Sequence, residues 1–309
     1  MPVLTNNNKL PILSGGLAAF SFCLASAAFG QDLYVPKALT AEHSFTGEIE
    51  GPAVDRQGNI YAVSFARKPT IGKVSPDGKA ELFLDMPAGS TGNGIRFDRN
   101  GKRFFVADYT GHNILAVDLK TRKVTVLAHE PSMNQPNDLA ITAKGDFYAS
   151  DPNWKNGTGQ IWFISRNGKK IRKVAPDMGT TNGIDISPDG KTLYVNESVQ
   201  RKVWAFDISP KDGSLSNKRL LIEFPDFGFD GMRIDVEGNL YATRHGKGVV
   251  AKISPQGKLL REIPVLGSKP SNICFGGPDG RTAYVTEMEK GRLVQFRVEA
   301  PGLEFARWK

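Results

Sequence analysis

Short apolar runs recur along most of the chain, and turns rich in Gly, Asn and Asp separate them. Several alternate or run wholly apolar over strand length: IGKVSP, NILAVD, GQIWFI, KVWAFD, VVAKIS and RLVQF. No stretch has a helical period. A second set of runs begins at a turn glycine: GNIYAVS, GKRFFVAD, GDFYASD, GKTLYVNE, GNLYATR and GRTAYVTE. Their glycines are Gly58, Gly101, Gly145, Gly190, Gly238 and Gly280, spaced 43, 44, 45, 48 and 42 residues apart. A period of this size with strand–turn–strand content predicts four-stranded antiparallel blades around an axis. The expected fold is all-β, a six-bladed β-propeller with a central metal-binding channel. The first blade runs from Glu50 to about Met86, with strands near Pro52–Asp55, Asn59–Ser64, Thr70–Ser75 and Ala80–Leu84. The outer strand of the last blade comes from His43–Gly47 or from the tail Leu303–Lys309. The N-terminal segment is favoured, because it closes the ring and removes an open edge.

Eight residues before the six glycines stand Glu50, Asn93, Asn137, Asn182, Asp230 and Asn272. One repeat position maps to one place in each blade, so six oxygen-bearing side chains are expected around the channel mouth. Turn chemistry is the competing explanation for Asn93-Gly94, Asn182-Gly183 and Asp230-Gly231, since Asn and Asp tolerate left-handed backbone. Glu50-Gly51-Pro52 does not fit it. A second tier, Ser64, Asp108, Asp151, Glu197, Arg244 and Glu287, ends the second strands on the same side. Carboxylate and carboxamide oxygens, without Cys or His at the repeat position, select Ca²⁺ or Mg²⁺ over zinc or copper.

The chain has 309 residues, a formal net charge of +8 and 40% hydrophobic residues. Six blades use nearly all of that length, so residues 31–309 are read as one propeller domain. Lys and Arg are scattered through turns rather than gathered on one face, which argues against nucleic acid as a partner. Lys9, an apolar run to Gly30 and small residues before Gln31 read as a secretory signal peptide over residues 1–30, with cleavage after Gly30 or Ala27. The mature protein is then expected to be periplasmic or secreted, with no membrane association. Of the two cysteines, Cys23 leaves with that segment, and Cys274 stays as a buried thiol without a disulfide partner. The oligomeric state is left open.

The motifs resemble the SMP-30/gluconolactonase/LRE-like family over about residues 45 to 298: Glu50-Gly51-Pro52, Asn137-Asp138, Ser150-Asp151-Pro152, Asn182-Gly183-Ile184, Asp230-Gly231-Met232 and Ser271-Asn272-Ile273. The resemblance implies a six-bladed propeller with one divalent cation, Ca²⁺ first and Mg²⁺ or Zn²⁺ as alternatives. By resemblance Glu50, Asn182 and Asp230 are metal ligands, and Asn137 is a fourth ligand or a substrate contact. It also implies hydrolysis of a sugar lactone, with Asp230, or else Glu50, as the catalytic base. Asn93, Asn137, Asp151 and Glu197 are the candidate substrate-binding groups. Gln135 stands where sugar-lactonase members often carry Arg, a departure that bears on the substrate. Trp154 covers the mouth or packs on its own blade, and His245 is placed near the mouth. Two other functions compete. An organophosphate or other ester hydrolase would want a more apolar mouth, against which Asp108, Asp151 and Glu197 argue. A non-catalytic ligand-binding propeller has no reason to place two carboxylates at one repeat position.

Overall fold

The computed structural model describes residues 1–4 and 32–307. Most of the expected signal segment, including Cys23, lies outside the described residues. Among the described residues, 24 strands form six four-stranded sheets. Each sheet is one blade with antiparallel strands, in sequence order from the axis outward in five blades, while the sixth takes its outer strand from the N-terminal side. The innermost strands are Phe45–Val54, Gly92–Phe97, Leu139–Ile141, Thr181–Ile186, Met232–Ile234 and Pro270–Gly276. Each touches the innermost strand of the next blade, and the last touches the first, so the ring closes.

The core is divided among six apolar clusters, one in each gap between neighbouring blades. Side chains alternate across a strand, so one blade feeds two clusters. In the second strand of the first blade, Tyr61 and Val63 pack with Phe97, Phe104 and Val106 of the second blade. Ile60 and Ala62 face the other way, onto Cys274, Tyr284 and Leu293 of the sixth. Both faces of that strand are buried, which is why such strands read as apolar runs rather than strict alternation. Tyr61, Phe83, Phe97 and Phe104 form edge-on and tilted ring contacts 5.0–6.0 Å apart.

Three expectations are corrected. The first blade's inner strand begins at Phe45 rather than near Pro52, because Phe45 pairs with Phe65 and register shifts carry the strand past Glu50. The start of the His43–Gly47 segment's strand therefore belongs to that blade. The outer strand of the last blade is instead Lys37–Ala38, paired with Arg292–Arg297. The ring is thus closed by the N-terminal side, but from a segment upstream of the expected one. The tail forms a short helix, Leu303–Ala306, whose Leu303 packs with Met232 and Ile234. Cys274 is buried and free, with burial pushing its thiol pKa up.

Candidate functional site

Glycine after the ring residue determines how closely neighbouring blades meet. A Cβ on Gly94 would stand 2.8 Å from the Asn137 carbonyl oxygen, and one on Gly183 would stand 2.5 Å from the Met232 nitrogen. Both amides bond across the gap, Gly94 to the Asn137 carbonyl at 2.8 Å and Gly183 to the Asp230 carbonyl at 3.0 Å. Neither glycine has a left-handed φ. The Asn-Gly pairs therefore do not mark left-handed turns; they allow direct backbone contact between blades.

These contacts draw Glu50, Asn93, Asn137, Asn182 and Asp230 to the floor of one cavity of about 540 Å³. Glu50, Asn137 and Asn182 are buried, while Asn93 and Asp230 are half-buried. Asn272, the sixth member of the repeat, does not line the cavity. Its Nδ2 donates to Glu50 Oε2 at 2.9 Å and its Oδ1 accepts from the Ile273 amide, so it orients Glu50 from behind. The Gly51 amide donates to the same Glu50 oxygen. Burial pushes the Glu50 carboxyl up to about 7, against the pull of these two donors. Asp230 is also raised, first by burial and then by the charge of Glu50. Its main chain is pinned: its amide donates to Thr243, and its carbonyl accepts from Gly183 and, at 2.7 Å, from Asn196 Nδ2.

Three buried oxygens in this floor have no hydrogen-bond partner: Glu50 Oε1, Asn137 Oδ1 and Asn182 Oδ1. Buried polar atoms are almost always paired, so a group of bare acceptors around one cavity calls for a partner from outside the chain, a water or an ion. Two carboxylates with carboxamides are the oxygen donors a hard cation takes. The residues present fit such an ion, although among the described residues no three His, Cys, Asp or Glu side chains form a metal cluster by themselves.

Of the expected second tier only Ser64 lines the cavity; Asp108, Asp151, Glu197, Arg244 and Glu287 do not. Asp151 is fully buried and its oxygens are occupied: the amides of Asn134 and Gln135, Gln160 Nε2 and Trp162 Nε1 all donate to it at 2.6–3.0 Å. Glu197 accepts from the Gly179 amide at 2.6 Å. Asp108 holds the Thr91 and Gly111 amides, and Glu287 those of Lys269, Glu289 and Lys290. In each of these blades a carboxylate at the end of the second strand accepts from the segment leading into the first. The fifth blade reverses the polarity: Arg244 donates to the Asp226 carboxylate and to the Phe227 carbonyl, and stacks on Phe224. Asp151 and Glu197 are therefore internal braces, and the acidic rim expected from sequence is absent from the cavity wall.

Beneath the floor lies a charged layer that sequence reasoning missed. Arg233 donates to Asp138 at 2.8 Å, and Arg96 stands 3.8 Å from the same carboxylate. All three are buried. Burial raises Asp138 to about 7 against the opposing charge of Arg96, and it also raises Asp185 and Glu304. Arg96, Asp185 and Arg233 each stand three residues after a ring residue, and that shared offset was the available signal. The cavity rim is lined by Tyr109, Trp154, Val199, Phe227 and Met288, with His245, Arg201, Lys68 and Glu48. Trp154 thus faces the mouth, and Gln135 is outside this lining.

The profile of the SMP-30/Gluconolactonase/LRE-like region matches residues 49–289, well over half of the chain. The chain belongs to this family. Regucalcin of Xenopus laevis is 32% identical over 206 residues, covering 62% of this chain and 68% of that one. Gluconolactonase of Zymomonas mobilis is 28% identical over 274 residues, covering 77% and 75%. A calcium-binding protein, regucalcin, from Agrobacterium tumefaciens superimposes with a TM-score of 0.74 at 20% identity, over 86% of this chain and 95% of that one. At that identity the superposition speaks for the fold. The propeller is that of a gluconolactonase- and regucalcin-like family member.

Proposed function

We propose that this chain is a lactonase that works with one divalent cation, Ca²⁺ by preference, held at the cavity floor by Glu50, Asn182, Asp230 and Asn137. The observation that carries this is the set of bare buried oxygens on Glu50, Asn137 and Asn182. The gluconolactonase and calcium-binding regucalcin among its relatives support it. Bound there, a divalent cation would polarise a lactone carbonyl and make an attacking water more acidic.

The remaining work belongs to side chains. Asp230, partly open to the cavity and fixed through its main chain, accepts the proton of the attacking water. General-base help of this kind contributes about 10²–10⁴-fold. Water oxygen bonds to the carbonyl carbon, the ring C–O bond breaks, and the leaving alkoxide takes from Asp230 the proton that the water gave up. The product is a hydroxy acid. Asn93 Nδ2 donates to the Asn137 carbonyl at 3.0 Å and so holds the floor beside the substrate. Glu50 is kept in place by Asn272 and Gly51.

The test is acid release from lactones after chelation and again with Ca²⁺ restored, beside Asp230→Ala. Activity that returns with the cation in the parent and not in the variant is the expected outcome; activity untouched by chelation would sink the cation dependence. A second reading, an ester or organophosphate hydrolase on the same floor, gains from the structure, because Asp108, Asp151 and Glu197 turn away from the mouth. The same assay with an organophosphate substrate separates the two. The basic and then apolar N-terminus supports a periplasmic or secreted setting, which N-terminal sequencing of the mature protein would check.

A further inference from the structure

We infer that the mouth of this cavity is an apolar subsite, and that the preferred substrate is a lactone carrying a flat apolar group, such as a benzo-fused ring, rather than a polyhydroxylated sugar. The inference rests on the lactonase reading. Cavity polarity is layered. The floor is buried and oxygen-rich, whereas Trp154, Phe227 and Val199 stand at the rim with exposures of 38%, 48% and 61%. They come from separate loops and all line the one cavity. Exposed apolar side chains that converge on a single concave site mark a binding surface rather than chance surface composition.

Phe227 adds a second observation. Its φ is +38°, a backbone region that a bulky residue rarely adopts. Arg244 donates to its carbonyl, and the same guanidinium is stacked on Phe224 and lies over the Phe229 ring. An otherwise costly conformation is thus held in place, and it sets an aromatic ring at the mouth. Such strain persists where surrounding structure over-determines it. The carboxylates a sugar would need at the same level are committed elsewhere, and hydroxyl groups enter the lining only at Ser64, Thr91, Tyr109 and Ser198. Asp108, Asp151 and Glu197 brace the blades, and Glu48 pairs with Lys68. Arg201 and His245 supply polarity on the rim.

The experiment compares kcat/KM on 3,4-dihydrocoumarin and on glucono-1,5-lactone, with Ca²⁺ present, for the parent, Phe227→Ala, Trp154→Ala and the conservative Phe227→Leu. Both positions are exposed enough for the variants to fold, which circular dichroism verifies. The parent should prefer dihydrocoumarin. Each alanine variant should raise KM for it by about tenfold, the scale of a lost apolar contact, and leave the sugar lactone within about twofold. Phe227→Leu should recover part of the loss. Preference for the sugar lactone, or equal effects on both substrates, would overturn the apolar subsite and leave the lactonase reading intact. No hydrolysis of either lactone by the parent would overturn the lactonase reading, and this inference with it.

Discussion

At the scale of single residues, identical chemistry serves opposite ends. Glu50 and Asp151 are both buried carboxylates, but Glu50 keeps one oxygen bare toward the cavity while Asp151 is saturated with donors. Removing Asp151 would strand several buried N–H groups. Asp151→Ala should therefore lower stability by roughly 3 kcal/mol or more, read by urea denaturation, with KM unchanged in the fraction that stays folded. A raised KM in a protein of parental stability would mean that Asp151 touches substrate after all. Asn182→Ala should do the reverse. Its Nδ2 donates to Ser198 at 3.1 Å, a modest loss, while its bare Oδ1 is a proposed ligand. Calorimetric titration should show Ca²⁺ affinity down by about tenfold or more, with only a small change in melting temperature.

At the scale of elements, the inner strands act as spacers whose glycines set the distance between blades. Gly183→Ala would push a Cβ to 2.5 Å from the Met232 nitrogen and 2.7 Å from the Asp230 carbonyl oxygen. Overpacking of this kind costs about 1–3 kcal/mol, and here it displaces the main chain of the proposed base. Melting temperature and activity should fall together; an unchanged activity would show that Asp230 is positioned by other contacts. The outer strand of the last blade is only Lys37–Ala38, yet it covers the edge of Arg292–Arg297. Removing residues up to Ala38 should expose that edge and make the protein aggregate at lower temperature, followed by light scattering on heating. The short tail helix closes against Met232 and Ile234 in the interior, and Glu304 in it accepts from the Phe97 amide.

At the scale of the whole molecule, closing the ring places several carboxylates near one axis with little water. Glu50 in the folded protein is pushed up to about 7, above its value in an unfolded chain. An acid raised in this way binds more protons folded than unfolded across the interval between the two values. Its contribution favours folding below that interval and is lost as pH rises toward about 7. The cation-free protein should thus lose melting temperature between about pH 5 and pH 8, and Glu50→Gln should flatten that slope. A cation competes with those protons, so added Ca²⁺ should raise the melting temperature more at the higher pH. An equal gain at both would argue that the ionised Glu50 is not a ligand.

The sequence by itself determined the number of blades, their four-stranded make-up and the repeat position that supplies the floor. These follow from local physics: turn glycines at a regular period, and apolar runs of strand length between them. It also carried the family, because Glu50, Asn182 and Asp230 sit in recognisable short motifs. Tertiary structure decided where each oxygen points. Asp151 and Glu197 read as rim groups because the ends of the second strands return to the mouth, but their partners are amides in loops 16 to 18 residues away. Asn272 shares the repeat position of Glu50 and Asp230 but spends its donor on Glu50, a residue 222 positions distant. The outer strand of the last blade likewise joins residues from the two ends of the chain. Periodicity reports which residues occupy equivalent places in a repeat. Only the closed ring decides which of them meet, and which are left bare for a ligand.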